Sequence, residues 1–191
     1  MPGRSAVSEI VAHIDGGSRG NPGPAAYGVL VEDGNGAPLA TLSKFLGHAT
    51  NNVAEYEALL AALGYALENH HRRLRVLTDS ELLARQIEGR YKVKSPDLKP
   101  LFDRARQMIQ RLERFTIRHI PREQNAEADR LANQALDAAA GGGAGPARPP
   151  AKPTPAALRA SATYEKGTLK PHRQLALLEG EEVDLEIHRR K

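Results

Sequence analysis

Two hydrophobic periods alternate along the first 137 residues, and their order leaves few folds open. Three strand-like runs come first: residues 8–15, carrying Ile10, Val11 and Ile14 and stopped by Gly16-Gly17, then residues 25–32 and 39–45, joined by the turn Asp33-Gly34-Asn35-Gly36. From 52 to 67 the period lengthens, with Leu59, Ala62, Leu63, Ala66 and Leu67 at helical spacing and Glu55 and Glu57 in the first turn. A strand at 75–78, helices at 80–88 and 97–113, a strand at 115–120 closed by Pro121, and a helix at 125–139 complete the order βββαβααβα. Hairpin-linked strands pair antiparallel, and strands reached through helical crossovers pair in parallel. The expected fold is α/β, a mixed five-stranded sheet with helices on both faces.

Beyond Asp137 the alternation stops. Residues 138–161 contain GGGAGP, RPP and KPTP, with Arg148, Lys152 and Arg159 and no acid. Such composition cannot bury a core and reads as a flexible basic linker. A small β module is expected at 162–191, with a hairpin signal around Lys166-Gly167 and an alternating run at 182–188. The organisation is therefore a domain at 1–137, a linker at 138–161 and a module at 162–191. The net charge of +4 follows this division: Lys and Arg number 18 against 17 Asp and Glu through Asp137, and 9 against 6 beyond it. The main body is nearly neutral, so any nucleic-acid reading must rest on where charges sit. Cysteine is absent, which excludes disulfides, thiolate zinc sites and cysteine nucleophiles and fits a reducing compartment. The opening residues lack an apolar run of signal-peptide length, and no segment approaches the roughly 20 apolar residues of a membrane span. A cytoplasmic protein without membrane contact is the expectation.

Four carboxylates then stand out by position: Asp15 at the end of the first strand, Glu55 at the start of the first helix, Asp79 after the fourth strand and Asp129 in the last helix. Ligands of α/β sheets collect at strand ends, and Asp15 and Asp79 lie side by side if their strands are neighbours. Adjacent carboxylates repel unless cations neutralise them. An all-oxygen set without His or Cys suits Mg²⁺ or Mn²⁺, hard ions that hold a phosphate oxygen and activate a water. The grouping points to phosphodiester cleavage. Each residue alone also has a local explanation: Asp15-Gly16-Gly17-Ser18 as a turn, Asn52 with Glu55 as a capping box, Asp79-Ser80 as a helix N-cap, and Asp129, near Glu127 and Arg130, as solvated helix face. Only as an ordered set do they acquire a shared meaning.

The blocks around them resemble the ribonuclease H family, type I, in its prokaryotic form lacking the basic protrusion. They are Ile14-Asp15-Gly16-Gly17-Ser18-Arg19-Gly20-Asn21-Pro22-Gly23-Pro24, Thr50-Asn51-Asn52-Val53-Ala54-Glu55-Tyr56, Thr78-Asp79-Ser80, and Pro121 to Ala132 with Asn125, Glu127 and Asp129. The resemblance implies hydrolysis of the RNA strand of an RNA–DNA hybrid by two metal ions, leaving 5′-phosphate and 3′-hydroxyl ends. By the same resemblance Asp15 bridges both ions, Glu55 and Asp79 hold the ion on the leaving-group side, and Asp129 holds the ion that activates the attacking water. Asn21, Thr50, Asn51, Asn52 and Ser80 match positions that contact sugar hydroxyls, base edges and phosphate, and Glu55 falls near the 2′-hydroxyl of the scissile nucleotide. Recognition by shape and 2′-hydroxyl suits the wide, shallow groove of a hybrid.

The chain departs from that pattern in several places. Many relatives carry a His on the loop before the last Asp, whereas the connection at 121–125 is short and has none. Arg122 is the candidate for that role, acting on phosphate charge, while His119 falls in the preceding strand. Glu81 stands where many relatives place Gln. Residues 89–96 form a short basic loop whose Arg90, Tyr91, Lys92 and Lys94 either touch the DNA backbone or are merely solvated. His70-His71-Arg72-Arg73 reads as charge complementing the C-terminal dipole of the first helix. The tail resembles short antitoxin-like β proteins, matched at Tyr164-Glu165-Lys166-Gly167, Leu169-Lys170-Pro171 and Glu179 to Val183. It is too small for its own core, so it must pair with itself or dock elsewhere, and a strand-exchanged homodimer is the hypothesis. A hybrid-binding module with a partner-recruiting tail stays open as a second reading, as does the same fold acting on double-stranded RNA or a DNA junction.

Overall fold

The computed structural model describes residues 9–141, 162–165 and 168–171. The first three strands, β1 (Ile10–Ser18), β2 (Gly23–Glu32) and β3 (Pro38–Ala49), form an antiparallel meander. The turn between β2 and β3 is organised by Asp33, whose carboxylate accepts the N–H groups of Asn35 at 2.8 Å and Ala37 at 2.9 Å. Those donors hold its carboxyl below the usual carboxylate range. Helix α1 (Asn51–Glu68) then crosses to β4 (Arg73–Thr78), and α2 (Glu81–Ile87) and α3 (Leu98–Ile109) lead to β5 (Arg114–His119). A 3₁₀ turn at Arg122–Gln124 precedes α4 (Ala126–Gly141). The strand order is β3-β2-β1-β4-β5, with β4 and β5 parallel to β1, as the alternation predicts.

Side chains alternate across this sheet. Ile10, Ala12 and Ile14 of β1, Val29 and Val31 of β2, Leu74 and Val76 of β4 and Ile117 of β5 are all buried on one face, where they meet Leu59, Leu63 and Ala66 of α1. Burial of each large side chain contributes about 1.5–3 kcal/mol. Helix α4 packs on the opposite face across β1, β2 and β3, burying Ala128, Leu131, Ala132 and Leu136. Two glycines set the depth of both layers. A Cβ on Gly16 would lie 2.2 Å from the backbone of Ala54 and Glu55, and one on Gly28 would lie 2.3 Å from the carbonyl oxygen of Ala128. Each helix backbone therefore rests directly on a strand.

Several boundaries differ from the sequence reading. Strand β1 is not stopped by Gly16-Gly17 but continues to Ser18, because Gly16 serves helix contact and Gly16 and Gly17 still pair with Tyr27 and Ala26. The capping box read at Asn52 and Glu55 is absent: Thr50 caps α1, its hydroxyl accepting from Val53 N–H at 3.3 Å, and Glu55 is buried. Likewise Ser80, not Asp79, caps α2 by accepting from Leu83 N–H at 3.4 Å. Both caps leave the neighbouring carboxylate to other work. Helix α3 ends at Ile109, and turns at Arg111 and Leu112 lead to β5. Residues 70–73 lie past the end of α1, where the N–H groups of His70 and His71 donate to the carbonyls of Leu67 at 3.3 Å and Ala66 at 2.8 Å; His70 turns the chain with φ 59°, Arg72 pairs with Glu113 at 2.9 Å and Arg73 opens β4.

The chain divides into two units, Met1–Ala144 and Gly145–Lys191. In the second, β6 (Ala162–Glu165) and β7 (Thr168–Pro171) pair antiparallel, with Ala162 opposite Pro171 and Glu165 opposite Thr168, which is the hairpin expected there. The run at 182–188 and the linker beyond residue 141 lie outside the described residues. No described helix is long and apolar enough to cross a membrane.

Candidate catalytic cleft

Parallel pairing between β1 and β4 ends at Ile14 and Thr78, so Asp15 and Asp79 are the next residues on adjacent strands at the same end of the sheet. Asp15 is still inside β1, opposite Gly28 of β2, and is held in extended backbone rather than in a turn. Gly16 lets the first turns of α1 settle on β1, which delivers Glu55 to the same point. Carboxylate oxygens of Asp15, Glu55 and Asp79 all lie within 4.8 Å of one another. Asp129, one turn into α4, lines the same open cleft of about 270 Å³, together with Arg122, Arg19, Asn51 and Asn133.

The electrostatics follow from this crowding. Asp15 is only 8% exposed, and its carboxyl is pushed up to about 7 by burial and then by the charges of Asp79 and Asp129, with Arg122 pulling the other way. Glu55 is raised well above the usual carboxylate range by burial and by Asp15 and Asp79, against a hydrogen bond from Thr78. One Glu55 oxygen, Oε2, is buried with no hydrogen-bond partner among the described residues. Hard oxygen donors that repel one another, one of them unpartnered, are what a divalent cation relieves. The residues fit such an ion.

Asp129 is held from two sides. Arg122 Nη2 donates to its Oδ1 at 2.5 Å, and Asn133 Nδ2 donates to its Oδ2 at 3.0 Å. Arg122 is 73% exposed, so its guanidinium can exchange this partner for another anion. His119 ends β5 opposite Thr78, exposed and in the strand, as its alternation predicts.

Of the five residues expected to touch substrate, Asn51 is the one in the cleft lining, while Asn21, Thr50, Asn52 and Ser80 are not among its lining residues. The Asn51 N–H donates to Asn21 Oδ1 at 3.2 Å, tying the β1–β2 loop to the start of α1. Thr50 and Ser80 use an oxygen lone pair for capping, which leaves each hydroxyl hydrogen free to donate. Asn52 is exposed on the first turn of α1. Glu81 pairs with Arg85 on α2, and Arg85 also donates to Tyr91 Oη at 2.6 Å and packs over its ring, pinning the short basic loop.

Two residues carry roles that the sequence reading did not assign, Asn125 although it stands in the block from Pro121 to Ala132. Asn125, 1% exposed, donates Nδ2 to the carbonyl of Ile14 at 2.8 Å and to Asp79 Oδ1 at 3.1 Å, while its own carbonyl accepts from Asp129 N–H at 3.1 Å. It thus touches the backbone or side chain beside three of the four carboxylates. The second is Asn133; its position four residues after Asp129 is a signal that helical spacing offers.

Comparison with known proteins places these features in company. The family model described as "Reverse transcriptase-like" matches residues 13–135, and one described as AF2212-like matches residues 161–191. The "Bifunctional protein Rv2228c" of Mycobacterium tuberculosis is 45% identical over 142 residues, covering 74% of this chain but only 39% of the relative. This chain therefore spans about two fifths of that relative's length. The "Ribonuclease HI" of Halobacterium salinarum is 43% identical over 128 residues, 67% of this chain and 64% of the relative. The crystal structure of RNase H1 from Halobacterium salinarum superposes with a TM-score of 0.67 at 42% identity, covering 69% of this chain and 99% of the other. LC11 ribonuclease H1, isolated from compost and solved in complex with an RNA/DNA hybrid, gives a TM-score of 0.66 at 44% identity over 69% of this chain and 99% of the other.

Proposed function

We propose, because the chain belongs to the ribonuclease H family, that it is an endonuclease of type I, hydrolysing the RNA strand of RNA–DNA hybrids to 5′-phosphate and 3′-hydroxyl ends. The observation that carries this reading is the convergence of Asp15, Glu55 and Asp79 within 4.8 Å at the sheet end, in a cleft that Asp129 also lines. A binding module has no use for four acids facing a polyphosphate, since they repel it. The hybrid in the LC11 complex supports the substrate class.

Asp15, Glu55 and Asp79 would hold one Mg²⁺ ion, and Asp15 with Asp129 a second, Mn²⁺ being the other candidate. Such ions supply Lewis acidity to the phosphate and lower the pKa of a nearby water. The chain's own part is positional. Asn125 and Gly16 set the spacing of the carboxylates, and Asn133 orients Asp129. Arg122 leaves Asp129 for the scissile phosphate when substrate arrives. Asn51 in the cleft lining, together with Asn21, Thr50, Asn52 and Ser80, would offer short donors and acceptors suited to sugar hydroxyls and minor-groove edges. The module at 162–191 is proposed to join two chains, placing two clefts on one particle.

Incubating labelled hybrid, double-stranded RNA and double-stranded DNA with wild type and Asp79→Asn, with Mg²⁺ or with chelator, tests the reading. Cleavage of the hybrid's RNA strand alone, abolished by chelator and reduced by a factor of about 10² or more in Asp79→Asn, is expected. Chelator-insensitive cleavage, or equal rates in the variant, overturns it.

A further inference from the structure

The face of the sheet that carries α4 is covered only in part. Helix α4 packs across β1, β2 and β3, whereas the residues of β4 and β5 on that face reach the surface. Register places Arg73 opposite Arg114, Arg75 opposite Thr116 and Leu77 opposite Arg118, and their strand neighbours Leu74, Val76 and Ile117 point into the core. Arg73, Arg75, Arg114 and Arg118 are all exposed. Four guanidinium groups thus share one open surface, and among the described residues the acid within ion-pair distance of them is Glu9, which pairs with Arg75 and lies 3.9 Å from Arg114. Neither Arg73 nor Arg118 forms an ion pair with a described residue.

This surface is continuous with the cleft. Strand β4 runs into Asp79 and β5 runs toward Arg122, so Arg118 lies at the cleft end and Arg73 and Arg114 at the far end. Four residues of strand separate Arg118 from Arg114, about 13 Å, which is the axial rise of about four nucleotides of one duplex strand. The residues among the arginines are Val11, His13, Leu77 and Thr116, and the one ring there, the half-buried imidazole of His13, lies 3.4 Å from the Glu32 carboxylate. Guanidinium forks on a flat surface match phosphate oxygens.

We propose that the exposed face of β4 and β5 is a second nucleic-acid contact, holding the phosphate backbone of the hybrid duplex where it runs beyond the cleft. The proposal rests on the hybrid reading above. It makes long hybrids bind more tightly than the cleft alone allows, with no base preference. The uneven charge supports it, because a body with 18 bases and 17 acids that gathers acids in its cleft must gather bases elsewhere.

The test uses the full chain and the double variant Arg73→Gln/Arg118→Gln, with Arg73→Lys/Arg118→Lys as a charge-keeping control. Probes are a hybrid of about one helical turn and one of about three turns. The expected result is a several-fold rise in Kd for the long hybrid in the Gln variant and a salt dependence shallower by about two in log–log slope. The short hybrid should be cleaved at the wild-type rate, and the Lys variant should retain the wild-type slope. Equal Kd and slope for all three proteins on the long hybrid overturns the proposal. So does a polyglutamate probe that binds as tightly as the long hybrid and is lost in the Gln variant, which would assign the face to an acidic polypeptide. If wild type fails to cleave hybrids while the Gln variant still loses affinity for the long one, the activity reading fails and the surface stands.

Discussion

Asp15 is buried inside β1, yet the proposed function asks it to be charged. Its folded value of about 7 stands above the ordinary 3.8, so between those two values the folded chain binds more protons than the unfolded one. Stability contributed by the neutral carboxyl is fully present below about pH 3.8 and is lost as pH rises toward 7, a loss of order 4 kcal/mol, with Glu55 acting in the same direction. Thermal midpoints measured without divalent cation are expected to fall between about pH 5 and pH 8, and added Mg²⁺ to restore far more at the upper end. A midpoint that Mg²⁺ raises equally at both ends would contradict the coupling. Asn125 poses a second test at this scale. Replacing it with Ala leaves the Ile14 carbonyl and the Asp79 carboxylate short of a buried donor, which costs about 1–3 kcal/mol. Divalent-cation affinity measured by calorimetry is expected to fall about 10-fold or more, as when a group that orients metal ligands is lost. An unchanged cation affinity would reduce Asn125 to a packing role. The four carboxylates were legible because each sits in a recognisable local block. Asn125 stands in one of those blocks too, but its role was not legible, since its amide reaches a carbonyl 111 residues away and nothing in a linear pattern records that contact.

At the scale of elements, the cleft depends on how closely two helices approach one sheet. A methyl group on Gly16 would overlap the backbone between Ala54 and Glu55, so Gly16→Ala must push the start of α1 outward and carry Glu55 with it. A loss of about 3 kcal/mol or more by urea titration is expected, together with loss of hybrid cleavage. Thr50→Ala is milder: it removes the α1 cap and should cost about 1 kcal/mol. If Gly16→Ala melted like wild type and kept its rate, direct seating of α1 on β1 would be wrong. Sequence periodicity revealed which elements exist and in what order, because burial alternates cleanly along Ile10, Ala12 and Ile14 and along the α1 stripe. It missed where β1 ends and which residues cap α1 and α2. Gly-Gly reads locally as a break, and Asn52 and Asp79 read locally as caps; only the packed helix shows that the glycine is spent on contact and that Thr50 and Ser80 reach the free N–H groups first.

For the whole molecule, the division at Ala144 separates two kinds of stability. The buried core runs from Ile10 to Leu136 and involves every layer of the first unit, so that unit has what a domain of its size needs to fold alone. The described part of the second unit is one hairpin of two four-residue strands, too small to be stable unaided. A chain ending at Ala144 is therefore expected to melt cooperatively within a few degrees of the intact protein and to cleave a short hybrid at the same rate per cleft. If the tail joins two chains, the intact protein has twice the mass of one chain by light scattering and the shortened one does not. Affinity for a long hybrid then drops on deletion, while that for a short hybrid does not, because only a long duplex reaches two clefts at once. A monomeric mass for both proteins, with equal affinity for long hybrids, would remove the dimer. The domain fold and the cleft would be untouched by that result, since none of their residues lies beyond Gly141.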